Sequence, residues 1–257
     1  MKNLFDLTGK TAVVTGGAGL LGSAFVETLA QHGAKVYVAE IKGNMGKGFK
    51  NQINGFINVL HLDISRPNSI EHCIRKVLRE SGSIDIWVNN AYPRTKDWNL
   101  KFEKIPASSW RKNVDAHLNG YCLSCQKVAE IMKRQKSGVI INIASIYGVS
   151  GPDFSVYDGT SMTMPAAYSA IKGGIINFTR YLASYYGKYG IRVNSISPGG
   201  VLNSQPKKFI KNYCRKTPLK RMANPSDIVG ALIFLASPAS AYVTGHNLVV
   251  DGGFTVS

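Results

Sequence analysis

The sequence predicts an α/β fold, a doubly wound parallel sheet with helices on both faces. Three observations carry this prediction. Short runs rich in Val and Ile alternate with helical stretches from one end of the chain to the other. Most of these runs are apolar at consecutive positions, as strands covered on both faces are. The first run ends in a glycine cluster that opens the first helix, a fitting start for such a sheet.

Taken in order, the first strand is Thr11–Thr15 (TAVVT). Helical periodicity follows over Leu20–His32, and Gly33 serves as its C-terminal cap. Further strands are Lys35–Glu40 (KVYVAE), Asn58–Asp63, Ile84–Asn89 (IDIWVN), Gly138–Ile143 (GVIINI) and Ile191–Ile196 (IRVNSI), with His246–Val250 as the last. Between them the pattern predicts helices over Ser69–Glu80, Trp110–Arg134, Pro165–Tyr189 and Pro225–Ser237. No repeat, linker or low-complexity tract interrupts the alternation, so residues 1–257 are expected to form a single dinucleotide-binding and catalytic domain. Two loops are long, at about 146–164 and about 198–224. Both leave strands at the carboxyl edge of the sheet, where ligands bind in open α/β folds. They are the natural substrate walls.

Composition narrows the function. Hydrophobic residues make up 44% of the 257, enough for a core under two helical layers. No apolar run approaches a membrane span, and Met1–Lys10 lacks the apolar core of a signal peptide. The expectation is a soluble, cytoplasmic protein that does not bind membranes. Cys73, Cys122, Cys125 and Cys214 are too sparse for a disulfide scaffold. Cys122 and Cys125 form a C-x-x-C in mid-helix with no second ligand pair, so they read as a packed helix face and no metal site is expected. Lys and Arg total 31 against 15 acidic residues, a formal charge of +16 that favours anionic partners. The basic residues are scattered, without a nucleic-acid module. A small anionic substrate therefore fits better than nucleic acid.

The segment V-T-G-G-A-G-L-L-G (Val14–Gly22) lies between a strand and a helix. Glycine there allows a sharp turn and close approach of a pyrophosphate, whose charge meets the helix N-terminus. Gly16, Gly19, Leu21 and Gly22 are the cofactor candidates in this turn. Glu40 ends the second strand, where a carboxylate can accept hydrogen bonds from the adenosine ribose and would repel a 2′-phosphate. This favours NAD over NADP, although Lys42 nearby argues the other way. Tyr168 and Lys172 are four residues apart and share one helix face. They follow a buried strand that ends in Ser145. A phenol acting near neutral pH needs its anion favoured by two to three pKa units, roughly 3–4 kcal/mol. A neighbouring ammonium in a water-poor pocket, with an oxidised nicotinamide, could supply this. A serine hydroxyl can orient the substrate oxygen.

These motifs together resemble the short-chain dehydrogenase/reductase family over nearly the whole chain. T-G-G-A-G-L-L-G resembles its cofactor turn, L-D-I (Leu62–Ile64) its adenine-contacting strand end, and N-N-A-Y (Asn89–Tyr92) its N-N-A-G. I-N-I-A-S with Y-S-A-I-K resembles its Ser, Tyr, Lys core. I-R-V-N-S-I-S-P-G and V-T-G-H-N-L-V-V-D-G-G resemble its later strands. The resemblance implies a Rossmann-type sheet, Tyr168 as acid/base, Ser145 as orienting hydroxyl, and Lys172 on the nicotinamide ribose. It further implies that Asp63, Ile64, Asn90 and Ala91 line the cofactor, with Pro198, Gly199 and Val201 beside the nicotinamide. A homotetramer or homodimer is implied as well.

Four departures stand out. Glycines fall at 16, 19 and 22, with Leu20 at one usual glycine place. His117 takes the place of the family's relay Asn, either as a relay member acting through water or as a satisfied helix histidine. Tyr92 replaces a glycine, and Ser145 lies 23 residues before Tyr168, a long spacing. The Y-D-G-T-S-M-T-M insert looks most like a bacterial subgroup linked to surface or flagellar sugar biosynthesis. The densest basic segment holds Lys207, Lys208, Lys211, Arg215, Lys216, Lys220 and Arg221, and a phosphate-bearing substrate would explain it. The reading is oxidation of a hydroxyl, or reduction of the matching ketone, on a sugar phosphate or nucleotide sugar. A reductase of an acyl or other small ketone, an epimerase or dehydratase of the extended branch, and a non-catalytic NAD- or nucleic-acid-binding protein are the alternatives.

Overall fold

A computed structural model describes residues 3–41 and 55–257. Among them, seven parallel strands form one sheet: β1 (Thr11–Thr15), β2 (Lys35–Glu40), β3 (Ile57–His61), β4 (Ile86–Asn89), β5 (Gly138–Ile143), β6 (Ile191–Pro198) and β7 (Asn247–Val250). Their order is β3-β2-β1-β4-β5-β6-β7. The helices are α1 (Leu20–Gln31), α2 (Pro67–Ser81), α3 (Ala107–Val114), α4 (Gly120–Gln135), α5 (Ala166–Tyr186), α6 (Lys207–Lys216) and α7 (Pro225–Ala236).

The consecutive apolar strand residues are explained by two cores. Val13, Tyr37, Trp87, Ile140 and Val193 point to one face and pack with residues of α2, α4 and α5. Their neighbours Val14, Val38, Ile86 and Ile141 point to the other face, where α1 and α7 cover them. Alternate side chains of a strand take opposite sides, so a strand buried twice must be apolar at every position. The chain winds outward from β1 to β3, then returns to place β4 on the other flank of β1. That reversal opens a crevice at the carboxyl ends of β1 and β4.

One polar chain crosses the core. Trp87 Nε1 donates to Asn89 Oδ1 (2.8 Å), Asn89 Nδ2 to Asn142 Oδ1 (2.8 Å), and Asn142 Nδ2 to Thr179 Oγ1 (2.9 Å). Each buried amide is satisfied, so it ties β4, β5 and α5 together without a desolvation penalty. Cys125 joins this chain, its sulfur accepting from Asn89 Nδ2 at 3.2 Å. Burial pushes the Cys125 and Cys122 thiols up, away from the reactive thiolate.

Several element ends shift by up to three residues from the sequence expectation: β4 starts at Ile86 rather than Ile84, β6 runs to Pro198 and α5 ends at Tyr186. Three differences bear on the site. The third strand runs Ile57–His61 rather than to Asp63, because Asp63 caps a turn into α2 by accepting from Ser65 N and Oγ. The helix expected over Trp110–Arg134 is α3 and α4 joined by a π-helical turn, Asp115–Asn119, which contains His117. The second long loop contains α6, whose Phe209 and Tyr213 are buried at i and i+4. Among the described residues no helix is long and apolar enough to cross a membrane.

Candidate active site

A cavity of about 760 Å³ opens at the carboxyl edge of the sheet. The ends of β1, β2, β4, β5 and β6 line its floor, and residues of the two long loops form its walls.

One half is built by the glycine turn. Gly16 adopts φ +61°, and a Cβ there would meet Ala91 Cα at 2.7 Å. A Cβ on Gly22 would collide with the Gly16 carbonyl and lie 2.9 Å from Asn90 Nδ2. Only glycine suits this close packing. Asn90 bolts the turn to β4: its Nδ2 donates to the carbonyls of Thr15 and Gly16, both at 3.0 Å. The backbone N–H groups of Asn90 and Ala91 donate to Thr15 Oγ1 at 2.9 and 3.1 Å. Gly19 is the N-cap of α1, without a side-chain cap or a first-turn carboxylate. The amides of that turn therefore suit an incoming anion, and the turn fits a dinucleotide pyrophosphate.

Glu40, at the end of β2, lines the same half of the cavity with Asp63 and Ile64. Glu40 accepts from the Ile41 N–H at 2.9 Å. The Asp63 carboxylate is engaged by Ser65 and by Arg66 Nε at 3.3 Å. Gly19, Leu21, Ala91, Pro198, Gly199 and Val201 also line the cavity. Gly22 does not; it sits behind the turn and permits its packing. Lys42 lies outside the described residues.

Ser145, Tyr168 and Lys172 converge on the floor. Ser145 stands at the end of β5, its Oγ accepting from Tyr147 N at 3.2 Å, which leaves the hydroxyl hydrogen free for another acceptor. Tyr168 is in the first turn of α5 and Lys172 one turn on. Lys172 is 3% exposed, and its Nζ donates to the Ile143 carbonyl at 2.6 Å. Nζ also lies 3.4 Å from His117 Nε2 and 5.5 Å from the Tyr168 ring centre.

The lowering of the phenol expected from this ammonium together with an oxidised nicotinamide is not supplied by the chain's own groups alone. Burial pushes the Tyr168 phenol well up, a shift the Ser145 hydroxyl opposes only in part. Burial likewise depresses Lys172 to about 7. Both charged forms lose water here, and that loss is the largest cause of each shift.

His117 is fully buried behind Lys172 and does not line the cavity. Burial, then the Lys172 charge, pushes it well below the usual histidine range. Its Nδ1 has no partner among the described residues, and its ring meets those of Tyr92 and Tyr121 edge-on.

The loop at 146–164 contributes Tyr147, Tyr157, Met162, Thr163 and Met164 to the cavity. It leans on α6: Lys216 pairs with Asp153 at 2.9 Å, and Asn212 Nδ2 donates to the carbonyls of Val156 and Asp158. The basic residues of the second loop do not face the substrate space as their density suggested. None of Lys207, Lys208, Lys211, Arg215, Lys216, Lys220 and Arg221 lines the cavity, whereas Phe209 and Tyr213 do. The helix turns its aromatic stripe inward and its cations outward, and Arg221 is held by Asp227 at 2.6 and 2.8 Å.

A third wall was missed in the sequence. Tyr92, Arg94, Trp98 and Asn99 line the cavity beside Tyr168. The Tyr92 and Trp98 rings meet Tyr168 edge-on at 5.7 and 6.3 Å, and Trp98 Nε1 donates to the Tyr92 hydroxyl at 2.8 Å. Tyr92 is not among the positive-φ residues, so its position does not demand glycine. The aromatic spacing Tyr92–Trp98 after N-N-A was the available signal.

A glycine turn on a doubly wound sheet, joined to Ser, Tyr and Lys at one cavity, defines a dinucleotide-dependent oxidoreductase. A family model described as Enoyl-(Acyl carrier protein) reductase matches residues 16–255. The chain is 33% identical to "Post-translational flagellin modification protein A" of Campylobacter coli, over 96% of this chain and 99% of that one. It is also 33% identical to a sorbose reductase of Candida albicans, over 98% of this chain and 89% of the relative. A short-chain dehydrogenase from Leptospira borgpetersenii, solved with bound NAD+, superposes with a TM-score of 0.89. It is 37% identical, covering 99% of this chain and 96% of that one. This chain belongs to the short-chain dehydrogenase/reductase family, whose members bind nicotinamide cofactors.

Proposed function

We propose that the enzyme interconverts a secondary alcohol and a ketone on a phosphorylated sugar or nucleotide sugar, using NAD(H). The carrying observation is the convergence of Ser145, Tyr168 and Lys172 on the floor of the cavity that also holds the glycine turn. In the reductive direction the Tyr168 hydroxyl gives its proton to the substrate oxygen; in oxidation the phenolate takes it back. Ser145 donates its one hydroxyl hydrogen to the same oxygen while its own oxygen accepts from Tyr147 N. Lys172, anchored on Ile143, places a cation beside the phenol in its protonated form, below about pH 7, and directs a further N–H toward the cofactor ribose. When bound, the cofactor supplies or accepts the hydride and, oxidised, adds positive charge near the phenol.

Glu40 at the end of β2 supports NAD, because a 2′-phosphate would face its carboxylate. Amides and hydroxyls among the lining residues, namely Asn99, Thr163, Asn203 and Gln205, support a polyhydroxylated substrate. The names of the Campylobacter and Candida relatives point the same way. A stacked row of rings along α5, the half-buried Phe178 and the exposed Tyr181 and Tyr185, supports pairing of subunits in a homodimer or homotetramer.

The test is turnover with NAD(H) on sugar phosphates, nucleotide sugars and acyl ketones, wild type beside Tyr168→Phe. The reading expects turnover on a sugar derivative that the variant loses while still binding NAD+. Turnover confined to acyl ketones would overturn the sugar assignment.

A further inference from the structure

The cavity places a single cation where the far end of a substrate would lie. Among the described residues two cations line it, Lys172 on the floor and Arg94 on the wall. The carboxylates lining it, Glu40 and Asp63, belong to the glycine-turn half. The substrate half therefore has a guanidinium and no carboxylate.

Arg94 sits on a segment pinned at both sides. Before it, Tyr92 is fixed by the Trp98 indole at 2.8 Å and packs edge-on against Tyr168. After it, Thr95 N donates to Asn113 Oδ1 at 3.0 Å, and Asn113 Nδ2 donates to Thr95 Oγ1 at 2.8 Å. Asn113 is only 2% exposed. The nearest carboxylate in sequence, Asp97, accepts from Ser109 Oγ at 2.8 Å rather than from Arg94. Arg94 forms no ion pair with any described carboxylate. Its guanidinium carbon lies 5.3 Å from the Tyr92 ring centre, and that ring lies 5.7 Å from the Tyr168 ring. The cation is thus two ring contacts from the acid/base, a reach suited to a sugar bearing a terminal anion.

We propose that Arg94 is the residue that recognises the substrate's anionic group, a phosphate or carboxylate, held while the reacting carbon lies at Tyr168. This rests on the alcohol–ketone reading above and assigns to Arg94 the charge recognition that the basic residues of α6 do not perform at the cavity. A guanidinium offers a planar fork that matches either anion in a bidentate manner. Its cation–π contact with the Tyr92 ring and its hydrogen bond to the Tyr92 side chain limit the side-chain freedom lost on binding.

The probes are sorbitol 6-phosphate and sorbitol, whose linear chains offer several secondary hydroxyls at different distances from the phosphate. With NAD+ as oxidant, wild type is expected to prefer the phosphate through a lower KM. In Arg94→Gln the ratio of kcat/KM for sorbitol 6-phosphate over sorbitol should fall about tenfold or more, with Arg94→Lys intermediate. An unchanged ratio overturns the proposal and leaves the alcohol–ketone reading intact. If neither polyol turns over, binding of sorbitol 6-phosphate to the NAD+-loaded protein is measured instead. Binding that weakens about tenfold in Arg94→Gln, with NAD+ affinity retained, upholds the anion contact while polyol oxidation fails. Absent or Arg94-independent binding overturns it.

Discussion

His117 Nε2 lies 3.4 Å from Lys172 Nζ, and neither side chain is open to solvent. Below about pH 7, where Lys172 is an ammonium, Nε2 must be the acceptor and the ring proton sits on Nδ1. A charged imidazole would face Lys172 directly, and both its burial and that charge oppose protonation. Imidazole NMR should therefore show His117 neutral from pH 5.5 to 8, and as the Nδ1–H form below about pH 7. A titration midpoint near the ordinary value of 6.5 would contradict this geometry.

The same contact predicts a graded mutational response. His117→Asn keeps a polar acceptor near Lys172 and should retain kcat within about tenfold. His117→Leu removes it and leaves the ammonium with the Ile143 carbonyl as its remaining protein acceptor of those described here. The pH at which kcat is half-maximal should then move more in the Leu variant than in the Asn variant. A merely space-filling histidine would give equal pH profiles in both.

Lys172 gives a stability signature with a defined sign. Its folded value of about 7 lies below the ordinary lysine value of 10.5. Between these two pH values the unfolded chain binds the extra proton, so stability rises with pH across this window. Below about 7 both states are protonated and the burial penalty is felt in full. Lys172→Met removes that titration. The Tm of the variant minus that of the cofactor-free wild type should accordingly be larger at pH 6 than at pH 10. Equal differences at the two pH values would show that Lys172 is not perturbed.

What was legible in the sequence follows from locality. Tyr168 and Lys172 are one helical turn apart, so spacing alone places them side by side. The glycine turn is contiguous, and its strand-to-helix context is visible in the residues themselves. The wall around Arg94 depends instead on Asn113 reaching 18 residues back to Thr95, a pairing no periodicity reveals. Charge density misled at α6, since counting cations does not say which face turns inward; the Phe209–Tyr213 spacing did. The π turn at His117 was likewise hidden, because its apolar pattern continues that of the flanking helices.

Glu40 predicts cofactor preference. The carboxylate is half-buried at the end of β2 and accepts from Ile41 N, which fixes its place at the cavity. Glu40→Ser should raise the ratio of kcat/KM for NADP over NAD by about tenfold or more, by removing a like charge from the 2′-phosphate. An unchanged ratio would move discrimination to another residue.

Asn113 provides the test of how the substrate wall is held. Its side chain makes bonds to Thr95 N, Thr95 Oγ1 and the Ser109 carbonyl, all between 2.8 and 3.0 Å. Replacing it with Ala leaves the Thr95 N–H without its acceptor in a part-buried setting, at a cost of about 1–3 kcal/mol. The Tm should fall accordingly. More tellingly, the segment from Tyr92 to Asn99 should loosen while the glycine turn, bolted separately by Asn90, stays in place. Hydrogen exchange at Thr95 should therefore speed up with NAD+ affinity little changed. Equal loss of protection in both regions would mean that Asn113 supports the whole fold rather than this wall.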